Sequence, residues 1–293
     1  MSLYTRTDLA AELPFSEEEG FYTEKAERNG FPMTDVKISS PSAATKFGKP
    51  IGRYLTVDIG KIWLADDKTF EKAADLIGKL LAELSVSLLG HEPESLLVVG
   101  LGNRHLTADS LGDLTVGQLT VTRHLQTADP KLYSLLGGHS IAAVAPGVIG
   151  QTGIESSEVL RGLCREISPS LVIAVDSLCA RSPDRLATTV QLGDSGISPG
   201  SGIGNARLAL SRETLGVPVI ALGIPTVVNS ATLVEDALER AGIPEIPEEL
   251  RTVLETGRSF FVMPKESDIT VRELSRLLAE AIGNAFSFPT VRA

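Results

Sequence analysis

Two aspartates stand where a folded sheet could bring their carboxylates together. Asp109 follows the apolar run SLLVVGLG (95–102), and Asp176 ends the apolar run SLVIAVD (170–176). Catalytic groups in an open parallel sheet gather beyond the carboxyl ends of the strands, so neighbouring strands would place both side chains in one crevice. There the protonated member could polarise a carbonyl while the ionised member activates water. The pair therefore predicts acid–base hydrolysis; for Asp109 the alternative is a helix N-cap.

The elements that must position this pair alternate along the chain. Short, continuous apolar runs predict interior strands at 95–102, 140–147, 170–176 and 217–228. An amphipathic pattern begins at Lys68, and further helix patterns cover 154–167, 204–214, 230–241 and 268–286. This alternation predicts an α/β fold, with a mostly parallel sheet that is mixed at its edges and has helices on both faces.

The first fifty residues carry weaker signals. They are polar and broken by PF, GFP and SSP, which predicts a loosely structured arm. One or two edge strands are expected around TDVKI (34–38) and GRYLTVDI (52–59). Because no break in composition resembles a linker, the chain is expected to form one domain.

Composition narrows the class of protein. The 293 residues carry a formal net charge of −10, and no run of Lys and Arg stands out, which argues against direct nucleic-acid binding. The N-terminus lacks an apolar signal region, and the apolar runs fall short of the roughly 18 residues that span a membrane. We therefore expect a cytoplasmic protein without a membrane partner. Cys164 and Cys179 are expected to be small buried residues rather than a disulfide or a metal site.

Other chemistries fit the sequence less well. A dinucleotide fingerprint would need a third glycine where His105 stands, and no phosphate-binding G-x-x-x-x-G-K-[ST] motif occurs. The four histidines lack metal-ligand spacing, so neither a metal nor a cofactor is predicted. The GDSG segment (193–196) resembles the nucleophile loop of trypsin-like proteases, but parallel α/β patterning with two cysteines excludes that fold.

Several motifs together resemble the germination protease family of spore-forming bacteria. In order they are VVGLGN (98–103), LTADSLG (106–112), VTRHL (121–125), PGVIGQTGIE (146–155), LVIAVDSLCARS (171–182), ISPGSGIGN (197–205), ETLGVPVIALGIPTVV (213–228) and MPKESDIT (263–270). The resemblance implies an aspartic endopeptidase that degrades small acid-soluble spore proteins during germination. It places the two proposed catalytic aspartates at Asp109 and Asp176, and it implies a fold related to hydrogenase maturation endopeptidases.

The same resemblance implies a precursor that processes itself. TRTDLAAE (5–12) has the family's substrate pattern of an acid, an apolar residue, Ala, a small residue and Glu. The cut is expected between Asp8 and Leu9, which makes residues 1–8 a propeptide and 9–293 the peptidase domain. The resemblance also implies a homotetramer in the forespore and spore core.

The chain departs from the family pattern at three loop positions. Asp113 stands where Pro is usual, Ser198 replaces a His, and Asn229 replaces an Asp. Neither proposed catalytic aspartate is changed, but substrate preference or activation could differ. Two alternatives therefore stay open: a metal-dependent maturation-type endopeptidase with the same carboxylates as ligands, and a non-catalytic nucleotide-binding α/β protein.

Overall fold

The computed structural model describes residues 7–14, 19–136, 139–200, 207–243, 247, 249–250, 252–253 and 260–286. Within these residues one nine-stranded sheet runs through the molecule. The strands are β1 (Phe21–Arg28), β2 (Phe31–Ile38), β3 (Gly52–Asp58), β4 (Ser95–Gly100), β5 (Ser140–Val144), β6 (Leu171–Ala180), β7 (Thr189–Gly193), β8 (Val219–Asn229) and β9 (Phe261–Val262). Their order is β1-β2-β3-β7-β8-β6-β4-β5, and β9 pairs with β8.

Helices cover this sheet. They are α1 (Pro41–Phe47), α2 (Asp67–Leu89), α3 (Leu111–Gly117), α4 (Leu125–Ala128), α5 (Pro130–Leu136), α6 (Ile149–Thr152), α7 (Ser156–Ile167), α8 (Arg212–Leu215), α9 (Ser230–Arg240) and α10 (Ser267–Phe286). The helix predicted from Lys68 is confirmed as α2: the Asp66 side chain caps its first turn, and Gly90 ends it with a φ of 81°. No helix among the described residues is long and apolar enough to cross a membrane.

One half of the sheet is parallel. Strand β4 pairs in parallel with β5 and β6, and β6 pairs in parallel with β8. Helices α2 and α10 contribute to the larger apolar core on one face, while α7 and α8 contribute to a smaller core on the other. Both faces are thus dry, which explains why these strands are continuous apolar runs. The predicted α/β class with helices on both faces is confirmed.

The other half of the sheet is antiparallel. Strands β1, β2, β3 and β7 pair antiparallel in sequence, and β7 joins this half to β8. Antiparallel pairing therefore extends beyond the sheet edges where it was expected. The expected strands around 34–38 and 52–59 are confirmed as β2 and β3. The apolar pattern missed β7, because its buried residues include the polar Thr189 and Gln191.

Two local expectations were wrong. Residues 207–210 lead into an isolated bridge between Leu210 and Ile197 rather than a helix, so only α8 remains of the helix predicted at 204–214; residues 204–206 lie outside the described part. The arm was expected to be loose, but Leu9 and Ala10 are 0% and 1% exposed. These apolar side chains are buried beside the sheet, which fixes the backbone around them.

Candidate active site

Asp176 lies inside the parallel half of the sheet. It is 6% exposed on β6, where it stands in register with Gly223 of β8. Its Oδ1 accepts a hydrogen bond from the backbone N–H of Ser177 at 2.9 Å. Burial, followed by the negative charges of Asp109 and Asp8, raises the pKa of Asp176 well above the ordinary value. Asp176 therefore stays protonated at pH values at which an exposed aspartate is already ionised.

Asp109 is presented by the loop that follows β4. It ends a short 3-10 turn, and its Oδ2 accepts the backbone N–H of Asn103 at 2.8 Å. The hydroxyl of Thr226 on β8 donates to the carbonyl of Ala108 at 2.6 Å and ties the turn to the sheet. The N-cap alternative is wrong, because Ser110 is the N-cap of α3 and the Asp109 carboxylate faces the preceding loop instead.

The environment of Asp109 differs from that of Asp176. Burial raises the pKa of Asp109, but the N–H of Asn103 and the positive charge of Arg207 oppose that rise. Arg207 also opposes the rise at Asp176. Two nearby carboxylates with unequal surroundings favour one protonated and one ionised group, the division of labour that acid–base hydrolysis needs.

Glycines in the GLGN turn make room for Asp109. Gly102 has a φ of 105°, and a Cβ there would lie 2.0 Å from the backbone oxygen of Asp109 and 2.8 Å from its Oδ1. At Gly100 a Cβ would lie 2.2 Å from the carbonyl oxygen of Gly112 on α3. The turn therefore packs closely around the aspartate, and its Asn103 N–H bonds to the Asp109 carboxylate.

The two aspartates share one cleft. Strands β4 and β6 are neighbours, with Gly100 in register with Val175, so the loop carrying Asp109 emerges beside Asp176. The cleft has a volume of about 520 Å³ and is also lined by Asp8, Leu106, Val148, Arg207, Phe261 and Met263. The predicted meeting of Asp109 and Asp176 in one cleft is thus found, but Asp176 does not end its strand, because β6 continues to Ala180 and stays paired with β8.

The N-terminal segment is seated against the same cleft. Asp8 donates its backbone N–H to the carbonyl of Cys179 on β6 at 2.9 Å, and its Oδ2 accepts the Cys179 N–H at 2.9 Å. Cys179 lies directly after the point where the register between β6 and β8 shifts, between Leu178 and Cys179. The side chain of Leu9 packs with Leu178, Ala180 and Val228.

Residues beyond Leu9 are also held. Glu12 accepts the backbone N–H groups of Arg181 and Ser182 at 2.7 and 2.9 Å, and it lies 3.8 Å from the side chain of Arg185. The acid, the apolar residue, Ala and Glu of the TDLAAE pattern therefore each have a defined seat. Sequence reasoning predicted the segment but not the residues that bind it.

Lys49 and Gln191 were missed. The carbonyl oxygen of Asp8 accepts hydrogen bonds from Lys49 Nζ at 2.9 Å and from Gln191 Nε2 at 2.7 Å. No motif drew attention to either residue: Lys49 follows α1, and Gln191 lies within the unpredicted β7. Arg207 was missed because a helix was expected there.

The three departures are not among the residues that line the cleft of Asp109 and Asp176. Asp113 forms an ion pair with Arg104 at 3.3 Å, and Asn229 caps α9 by accepting the Ala231 N–H at 2.8 Å. Ser198 lines a second cavity of about 260 Å³, which also touches Asp8.

Cys164 and Cys179 are free and buried, as expected. Among the described residues no three His, Cys, Asp or Glu side chains are grouped to hold a metal ion.

Sequence comparisons with known proteins find germination proteases. A sequence profile of the germination protease family matches residues 2–241. A germination protease of Clostridium perfringens is 35% identical over 291 residues, covering 90% of this chain and 87% of that protein. That of Halalkalibacterium halodurans is 44% identical over 229 residues, covering 78% and 61%. The Bacillus subtilis protein is 39% identical over 244 residues, covering 80% and 66%.

A structural comparison finds distant likenesses among solved proteins. The [NiFe] hydrogenase maturation protease HycI from Thermococcus kodakarensis is 15% identical and has a TM-score of 0.39. The match covers 69% of this chain and 98% of that protein. A likeness this distant carries nothing about mechanism.

Proposed function

Because the chain belongs to the germination protease family, we propose that it is a self-processing endopeptidase that hydrolyses small acid-soluble spore proteins with Asp109 and Asp176. Membership makes it a protease of spore germination. The observation that carries the finer proposal is the meeting of two carboxylates with unequal surroundings in one cleft.

The two aspartates take different parts in this reaction. Asp109, which accepts the Asn103 N–H and lies under the influence of Arg207, is the ionised member and removes a proton from the attacking water. Asp176 is more deeply buried and carries the proton that the departing amine nitrogen receives. After product release, transfer of one proton from Asp109 to Asp176 restores the starting state.

The same cleft serves self-processing. Asp8 lines it together with Asp109 and Asp176, and the bond that follows Asp8 is held by contacts on both sides. Cleavage between Asp8 and Leu9 releases residues 1–8 as a propeptide and leaves 9–293 as the peptidase domain. Assembly as a homotetramer and a place in the forespore and spore core are proposed on the family resemblance alone.

Intact-mass analysis tests the proposal. Wild type, Asp109→Asn and Asp176→Asn are incubated at mildly acidic pH with a small acid-soluble spore protein. Wild type is expected to lose residues 1–8 and to cleave the substrate, and both variants are expected to do neither. Asp113→Asn is the matched control, because it removes a carboxylate from the first turn of α3, next to the loop of Asp109 but outside the cleft. Full processing by either dyad variant would refute the pair.

Two further arms separate the alternatives. Activity lost with a chelator and restored by a divalent metal would favour a metal-dependent maturation-type endopeptidase. Thermal stabilisation by nucleotides without any proteolysis would favour the non-catalytic alternative. The proposal expects turnover to survive chelation and nucleotides to leave the melting temperature unchanged.

A further inference from the structure

We propose that Lys49 and Gln191 are catalytic residues that polarise the scissile carbonyl and hold the negative charge that develops on its oxygen. The inference rests on the proposed cleavage after Asp8. It starts from the two hydrogen bonds, 2.9 Å from Lys49 Nζ and 2.7 Å from Gln191 Nε2, that converge on the Asp8 carbonyl oxygen. Two donors on one carbonyl oxygen form the arrangement that stabilises the oxyanion of acyl-transfer intermediates.

Gln191 is fixed before any reaction begins. It lies in the middle of β7, 9% exposed, between Thr56 of β3 and Gly223 of β8. Its Oε1 accepts the backbone N–H of Ala10 at 2.6 Å, so its Nε2 must face the Asp8 carbonyl. One amide side chain thus contacts the backbone on both sides of the proposed scissile bond and sets the position of that bond.

Lys49 is placed with similar precision by local structure. Gly48 ends α1 with a φ of 65°, and the Lys49 N–H donates to the Ala44 carbonyl at 3.2 Å. The ammonium group lies 5.8 Å from the centre of the Tyr54 ring. Burial lowers the pKa of Lys49, and the charges of Asp8 and Glu12 oppose that fall. An ammonium held away from water acts more strongly on a nearby oxyanion than an exposed one does.

Asp8 is the residue that the two carbonyl donors and the aspartate pair have in common. Asp8 lines the cleft that contains Asp109 and Asp176, and it also lines the smaller cavity that contains Lys49 and Gln191. The carboxylates therefore approach from the parallel half of the sheet and the donors from the antiparallel half. The sequence predicts that the protonated aspartate polarises the carbonyl. In this proposal Lys49 and Gln191 polarise it instead, and Asp176 gives its proton to the leaving amine.

The reaction balances with these groups. Water oxygen bonds to the Asp8 carbonyl carbon and passes a proton to Asp109, while the carbonyl π electrons move onto the oxygen held by Lys49 and Gln191. That oxyanion then re-forms its double bond, the bond from carbon to the Leu9 nitrogen breaks, and the nitrogen takes the proton of Asp176. The products are a chain that ends in the carboxyl of Asp8 and a chain that begins at the amine of Leu9.

The competing explanation is that Lys49 and Gln191 only seat the N-terminal segment. The test therefore measures both chemistry and seating in the full chain. The first-order rate of loss of residues 1–8 is followed by intact mass for wild type, Lys49→Met and Lys49→Arg. Lys46→Met is the matched control, an exposed lysine on the preceding helix. Seating is measured as hydrogen exchange of the Asp8 and Ala10 amides in the same variants that also carry Asp109→Asn.

The expected result is a fall of about 100- to 1,000-fold in the processing rate of Lys49→Met, the usual effect of removing one oxyanion donor. Lys49→Arg should recover part of the rate, Lys46→Met all of it, and protection of the two amides should not change. An unchanged rate in Lys49→Met would overturn the inference. A slow rate together with lost amide protection would overturn it as well, in favour of seating.

Failure of the proposed function gives a different result. If Asp109→Asn is processed like wild type while Lys49→Met is slow, the aspartate pair fails and the carbonyl donors stand. If the wild-type chain is never cut after Asp8, the inference falls together with self-processing.

Discussion

The parallel and antiparallel halves of the sheet contribute to the cleft in different ways. The parallel half supplies Asp109, from the loop after β4, and Asp176, which lies within the neighbouring β6 beside the end of β4. The antiparallel half supplies Gln191 from the middle of β7, and Lys49 from the segment that leads into β3. Loops that follow parallel strands meet at one edge of the sheet, and Asp109 lies in such a loop. Strand β7, which is antiparallel to both neighbours, presents Gln191 to the extended N-terminal segment.

The N-terminal segment lies across this division. Its side chain at Leu9 packs on the ends of β6 and β8, while its backbone at Asp8 and Ala10 bonds to Gln191. Substitutions can therefore be made in each half separately. Their effects on the processing rate and on the free energy of unfolding show whether catalysis and binding of the segment depend on different halves.

The largest effect is expected from Gly102→Ala in the parallel half. The φ of 105° and the 2.0 Å approach to the Asp109 backbone oxygen leave no space for a methyl group. We expect a loss of at least about 2 kcal/mol in the free energy of unfolding, measured in urea. Because a shift of about 1 Å at a catalytic group can cost roughly 100-fold, processing should slow at least that much.

Gly117→Ala provides the control for this change. Gly117 ends α3 and has nothing within 4 Å of an added Cβ, so this variant should stay within about 1 kcal/mol of wild type. Normal processing in Gly102→Ala would mean that the turn does not position Asp109 for catalysis.

Leu9→Ala tests how strongly the parallel half anchors the segment. The side chain is 0% exposed among Leu178, Ala180 and Val228. In chains that also carry Asp109→Asn, and so remain uncut, we expect a loss of about 2–4 kcal/mol in the free energy of unfolding. Leu64→Ala, at a position 72% exposed, should change it by less than about 0.5 kcal/mol. Equal effects in the two variants would show that burial of the Leu9 side chain does not anchor the segment.

The sequence predicts the parallel half of the sheet better than the antiparallel half. Strands β4, β6 and β8 are buried on both faces, so they contain apolar runs, and a charged residue directly after such a run, such as Asp176, is conspicuous in the sequence. Strand β7 contains Thr189 and Gln191, whose burial depends on partners distant in sequence, including the Asp8 carbonyl. Pairing of Asp109 with Asp176 was therefore predictable. Pairing of Lys49 with Gln191 was not, because a single polar residue carries no sign of the contact that satisfies it.

A smaller effect is expected from Glu12→Gln, at the far end of the segment. The carboxylate accepts two backbone N–H groups and lies near Arg185, whereas an amide offers one oxygen and no charge. Hydrogen bonds to a charged group exceed neutral ones by about 1 kcal/mol, so processing should slow roughly 5- to 10-fold by intact mass. Glu24→Gln, exposed on β1, should match wild type. A loss as large as that of a dyad variant would mean that binding and chemistry are not separable.

The smallest effect concerns the pH dependence of stability. Burial raises the folded-state pKa of Asp176, so the protonated form favours the fold. This contribution is complete below the ordinary carboxyl pKa and is lost as the pH rises through the raised one. Asn cannot titrate, so in chains that also carry Asp109→Asn, the melting temperature of Asp176→Asn relative to Asp176 should rise between pH 5 and pH 8, by about 2–4 °C for each kcal/mol.

Asp67→Asn, on the exposed start of α2, is the control for that measurement: it removes one carboxylate outside the cleft, and its effect is subtracted from that at position 176. The Ser177 N–H can still bond to an amide oxygen at position 176, so the substitution removes the charge and little else. A pH-independent difference at position 176 would mean that its carboxyl ionises as an exposed one does. The parallel half would then hold two ionised aspartates rather than an acid and a base, and the proton for the leaving amine would have to come from Lys49 in the antiparallel half.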